Sequence, residues 1–230
     1  MLGFTERDLT ALWLSLRLAL STSCVLLVLA TPLSLWLARS RSRWVVVVES
    51  LVALPLVLPP SVLGFYLLVA MGPQGALGKL VASLGGAPLA FSFTGILLGS
   101  LVYSLPFAVQ PLQGAFQAQP ARLLEVAATL RASPLSTFWR VTVPLARRGF
   151  LSAVVLSFAH TLGEFGVVLM IGGSIPGRTE TASIAIFRQV ETLDYAGAQR
   201  LSLTLVGLCF TLLLVTYRLQ RATARVSVLP

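Results

Sequence analysis

Five apolar runs leave this chain of 230 residues few folds to choose from; they cover about residues 12–37, 45–71, 91–113, 149–172 and 201–217. At 1.5 Å of rise per residue, runs of this length cross roughly 30 Å of hydrocarbon as α-helix. Lipid offers no partner to a bare peptide group, so spanning segments satisfy their backbone internally, and segments this long do so as helices. The chain is 56% hydrophobic and only 11% charged, with a mean hydropathy of +0.88. A soluble globule carries about a quarter of its residues charged, so that class is excluded. The expectation is an all-α polytopic membrane protein, one transmembrane domain over residues 1–230 with five helices. A sixth, short or re-entrant segment around 180–195 stays open. The N-terminus has no basic n-region or cleavage site and reads as mature protein.

Charge sorts the connections. Arg39, Arg41 and Arg43 follow the first run, Arg122, Arg131, Arg140, Arg147 and Arg148 follow the third, and Arg218, Arg221 and Arg225 follow the last. With five spans these regions share one face, which the positive-inside rule makes cytoplasmic. Glu6, Asp8, Glu180, Glu191 and Asp194 then fall at the other face, putting the N-terminus outside and the C-terminus inside. The pI near 11 therefore reports topology and lipid contact rather than nucleic-acid binding. Cys24 and Cys209 lie within apolar runs, and no disulfide framework or metal-ligand spacing exists. The nearest approach to a phosphate-binding loop, "GPQGALGKL", has Pro73 at its first glycine and Leu80 where a magnesium-binding hydroxyl belongs. No cofactor is expected in this chain.

Within the spans, Gly95 and Gly99 in "GILLG" form a small-residue face suited to close helix approach. Pro55, Pro59 and Pro60 interrupt the second run and mark it as a candidate pore element. Among the hydroxyls, Ser61 beside the double proline and Thr161 are candidate pathway or gate donors. Glu164 is costly in a span and needs a partner, and His160 lies one helical turn earlier. Two readings of this pair stand side by side: an intramembrane tether, with Glu164 bonded to backbone or an arginine, or a proton-sensitive latch. An intramembrane enzyme using the pair as acid and base is a distant alternative, lacking a nucleophile or metal set.

The connection at about 118–146 is different in kind. Leu123, Leu124, Ala127, Ala128 and Leu130 recur at helical spacing, with Arg122, Glu125, Thr129 and Arg131 between them. Pro120 suits the start of this helix and Pro134 its end, and a second helical piece is expected from Leu135 to about Val143, stopping near Pro144. The pattern describes short amphipathic helices lying across the cytoplasmic face.

The residues Glu125-x-Ala127, Phe138 and Val141-Thr142-Val143-Pro144-Leu145 resemble the "EAA" loop of type I ABC importer permeases. That resemblance implies the permease fold, with a coupling helix docking into a groove on a separate cytoplasmic ATPase. Position by position it assigns the coupling loop to Leu124, Glu125, Val126, Ala127, Ala128, Arg131, Ala132, Ser133, Phe138 and Pro144. Val126 replaces an alanine, and Arg131 stands where the family has glycine. Two further stretches, "LPLVLPPSVLGFYLLV" (54–69) and "FAHTLGEFGVVLMIGGSIPGRTETASIAIF" (158–187), resemble the molybdate branch, with tungstate a companion and sulfate or thiosulfate the runner-up. The implied partners are a second copy of the chain, two ATPases that hold ATP and Mg, and an extracytoplasmic oxyanion-binding protein. The implied location is a prokaryotic inner membrane.

Overall fold

The computed structural model describes residues 3–226, with side chains through 218, so the side chains of Arg221 and Arg225 lie outside the described residues. All regular structure among them is helical. Helix α1 (Glu6–Arg39) opens on a reciprocal cap: Asp8 N–H donates to Thr5 Oγ1 (3.1 Å) and Thr5 N–H to Asp8 Oδ2 (3.0 Å). Then follow α2 (Trp44–Val57), α3 (Pro60–Met71), α4 (Ala76–Ser83) and α5 (Phe93–Gln117). The loop region holds α6 (Ala121–Thr129), α7 (Pro134–Thr137), a π-helical turn (Phe138–Thr142) and α8 (Val143–Leu145). The chain closes with α9 (Arg147–Gly163), α10 (Gly166–Gly172), α11 (Ala182–Glu191) and α12 (Tyr195–Val226).

Four helical stretches are long and apolar enough to cross a membrane, and a fifth exists if the pair Pro134–Leu145 and Arg147–Gly163, bent by 72°, is one span. The expected five runs are thus present, but two are broken. The second run divides at Pro59, because adjacent prolines remove two backbone donors and force Leu58 into an extended conformation (φ −71°, ψ 137°). The fourth divides at Glu164 (φ −65°, ψ 134°), between Gly163 and Gly166, two weak helix formers. The segment expected near 180–195 is α11, whose ten residues reach about 15 Å, half of a span.

α1, α5 and α9 pack on one another around Leu26, Ala30, Leu112, Phe116 and Ala153, and Ser34 Oγ donates to Val109 O across 3.1 Å. α10 lies against α3 and α5. The approach is close: a Cβ on Gly99 would stand 2.4 Å from Ile171 Cδ1, and one on Gly166 would stand 2.7 Å from Pro60 Cβ. Gly99 of "GILLG" therefore serves the α5–α10 contact. The spans Pro60–Ser83 and Tyr195–Arg218 are only 11% buried, against 50% for α5, so their apolar faces are left for lipid or another chain.

At the acid-rich end Glu180, 1% exposed, accepts from Arg7 Nε (2.7 Å) and Nη2 (3.0 Å) and from Arg188 Nε (2.8 Å). Gln189 donates to Asp8 Oδ1 (2.8 Å) and Ala182 N–H to Ser15 Oγ (2.8 Å), fixing α11 to the start of α1. Arg39 and the 121–145 segment stand together at the opposite end.

Candidate coupling loop and intramembrane polar groups

Pro120 precedes α6 as expected, and the helix ends in a paired-bond C-cap in which Ala132 N–H donates to Ala127 O (3.0 Å) and Arg131 N–H to Ala128 O (2.9 Å). This geometry requires a left-handed residue at the position after the cap. Arg131 supplies it with φ +54°, where the family pattern has glycine. The departure at Arg131 thus leaves the expected turn intact while placing a bulky residue in a costly conformation. Its side chain is exposed and makes no hydrogen bond or ion pair among the described residues.

Ser133 caps the next helix, accepting from Ser136 N–H at 3.2 Å, with Pro134 at its first position. The second helical piece ends within a residue of the expected stop near Pro144. It passes through Pro144 to Leu145 because Pro144, which has no N–H, is accommodated by a π turn in which Val143 N–H reaches back to Phe138 O. The break comes at Ala146 (φ −88°, ψ 5°). Leu124 and Phe138 are half-buried, Ala127 is buried, and Glu125, Ala128, Ala132 and Pro144 are exposed. Large apolar side chains of the loop stand bare, among them Val126 at 54%, Leu130 at 76%, Leu135 at 68% and Trp139 at 61% exposure. Exposed apolar groups on a polar, arginine-bearing loop mark an interaction surface.

The intramembrane candidates separate. Ser104, fully buried in α5, bonds both His160 Nδ1 (2.9 Å) and Thr161 Oγ1 (2.9 Å) on α9. His160 also stacks on Phe107 with ring centroids 4.0 Å apart. Thr161 is 2% exposed, so in this packing its hydroxyl joins helices rather than facing a path. His160 is likewise an α5–α9 link. Glu164 does not join it: α9 ends at Gly163, which removes the one-turn spacing the pair required. The Glu164 side chain, 4% exposed, has Ser100 Oγ turned toward it but makes no hydrogen bond of good geometry among the described residues. His160 thus links α5 to α9 through Ser104, whereas the Glu164 side chain has no backbone or arginine partner among the described residues. Ser61 is exposed in the first turn of α3, beside the contact between Pro60 and Gly166.

Sequence reasoning missed three groups. Gln113 on α5 donates to Glu49 on α2 (2.5 Å), Arg17 lies 4.3 Å over the Phe93 ring, and Thr142 accepts from Arg39 at the end of α1 and from Gln119 just beyond α5. A lone glutamate in the second run was the available signal for the first of these.

The chain folds as a helical transport permease, and residues 30–225 match the family described as binding-protein-dependent transport system inner membrane component. The chain belongs to that family. It is 54% identical to the molybdenum transport system permease protein ModB of Azotobacter vinelandii over 97% of this chain and 99% of that one. The sulfate transport system permease protein CysT of Synechocystis is 32% identical, over 88% of this chain and 71% of its own length. A bacterial alginate ABC transporter, solved in complex with an alginate pentasaccharide-bound periplasmic protein, shares the fold at a TM-score of 0.78 and 15% identity, covering 96% and 81% of the two chains. The chain is accordingly a multi-pass inner-membrane permease of an ABC importer.

Proposed function

We propose that the chain forms the translocation path of an ATP-driven importer for molybdate, with tungstate handled alongside it. The single observation that carries the coupling part is the run of exposed apolar side chains, Val126, Leu130 and Leu135, on either side of the left-handed C-cap at Arg131. A separate ATPase docking there would cover these side chains, while ATP and Mg remain on that subunit. The cargo rests on the 54% identity to a molybdenum permease, against 32% to a sulfate permease.

In this reading a second copy covers part of the exposed apolar faces, and an extracytoplasmic binding protein delivers the oxyanion at the acid-rich end. The N-terminus lies outside and the C-terminus inside, as the arginine distribution requires. Lipid fills the remaining apolar surface, including a cleft of about 610 Å³ between Val28, Pro32 and Leu35 of α1 and Trp139 of the π turn. Closure of the ATPase pair moves both loops and exchanges one helix packing for another, so that access alternates. Ser61 is the candidate donor along the path.

Glu125→Arg tests the reading. Glu125 is exposed, so the variant is expected in the membrane at normal amounts, with ATP-driven molybdate uptake abolished. Uptake at the original rate would remove the docking assignment.

A further inference from the structure

Thr142, at the end of the π turn, is fully buried although it belongs to a largely exposed loop. Its Oγ1 accepts from Arg39 Nη2, the last residue of α1, at 3.1 Å. Its carbonyl accepts from Gln119 Nε2, just beyond α5, at 2.8 Å, and from Ala146 N–H at 3.0 Å. Among the described residues, the bonds from the 121–145 segment to the end of α1 and to Gln119, two residues beyond α5, both converge on Thr142; the remaining bonds of that segment are local.

We infer that Thr142 is the positioning residue through which displacement of the coupling loop reaches α1 and α5 together. The inference rests on the importer reading above and adds the joint that reading needs. Chain connectivity carries loop motion into α9 through the 72° bend at Ala146, yet no peptide bond links the π turn to α1. Moving the loop away from α1 would leave the buried Thr142 hydroxyl without its donor, and moving it from the end of α5 would cost the carbonyl one of its two donors. The lower ends of both spans must therefore follow the loop. Pro144 contributes indirectly, since the π turn that accommodates it ends at Thr142. Arg39 thereby acquires a role besides topology.

The test compares Thr142→Val, which keeps the shape and loses the acceptor, with Thr142→Ser, which keeps the acceptor, and Gln119→Leu, which frees α5. Each is reconstituted with its ATPase and binding protein, and ATP hydrolysed per molybdate imported is measured per inserted molecule. Losing a charge-assisted hydrogen bond is expected to raise that ratio about tenfold in Thr142→Val, with hydrolysis held within about twofold. Thr142→Ser retains the original ratio. Hydrolysis and uptake falling in proportion, or an unchanged ratio in both Thr142→Val and Gln119→Leu, would overturn the inference. Hydrogen exchange at the Ser40 amide, which donates to Trp36 O at the end of α1, reads the joint without transport. It is expected to quicken in Thr142→Val, and unchanged exchange there also counts against it. The unsubstituted assembly run alongside reports separately on whether the chain imports molybdate.

Discussion

Replacing Arg131 by glycine is expected to stabilise the coupling loop, an unusual direction for a change at a long, charged residue. Arg131 holds φ +54° to complete the C-cap of α6, a conformation that costs an L-residue roughly 1–2 kcal/mol. Glycine adopts it freely but gives back about 0.5–1 kcal/mol through its more flexible unfolded chain. The net gain is about 1 kcal/mol, because the guanidinium makes no hydrogen bond or ion pair that would be lost among the described residues. The amides of Arg131 and Ala132 donate to Ala128 O and Ala127 O, so hydrogen exchange at position 132 reports opening of the cap directly. Exchange is expected to slow about fivefold in Arg131→Gly, to change little in Arg131→Asn, and to quicken in Arg131→Val, whose β-branch resists positive φ. ATP-driven uptake by Arg131→Gly should match the original chain, since the apolar docking residues keep their places. Equal exchange rates in the glycine and valine variants would refute the argument that backbone conformation governs this position.

Three further outcomes follow from the packing. Ser104→Ala removes the bonds to His160 and Thr161 at once, and the thermal midpoint in detergent should fall by the equivalent of about 1–2 kcal/mol. Gly166→Ala places a methyl group 2.7 Å from Pro60 Cβ, a ring atom with little freedom, so a loss of about 1–3 kcal/mol is expected on the same assay. Glu180→Gln weakens the pairing of Arg7 and Arg188, so protection of α11 from hydrogen exchange should drop while that of α6 is unchanged. Protection of α11 equal to that of the original chain would contradict the account of the acid-rich end.

Periodicity and charge made much of this molecule legible in its sequence. Apolar runs located the spans because lipid imposes length and composition on them, and Pro120 located α6 because its start depends on local backbone geometry. At Arg131 the departure from the family's glycine was legible, but the left-handed backbone kept there was not, because arginine adopts it reluctantly. The break at Glu164 was not, because no proline marks it and the packing of α10 against α3 and α5 is nonlocal. The same holds for His160: its partner Ser104 lies 56 residues away, and helical spacing pointed to Glu164 instead. Pro144 marked the end of the second helical piece to within a residue, because proline opposes continuation, but the π turn before it had no such mark. Thr142 stood in the family-like stretch, but its bond to Arg39 spans 103 residues and had no local signal.

The most direct test of the central claim is uptake of radiolabelled molybdate by the reconstituted permease, ATPase and binding protein, with tungstate and sulfate as competitors. ATP-dependent uptake suppressed by equimolar tungstate and unaffected by equimolar sulfate is the expected result. Uptake that proceeds without ATP, or that sulfate suppresses as strongly as tungstate does, would contradict the account.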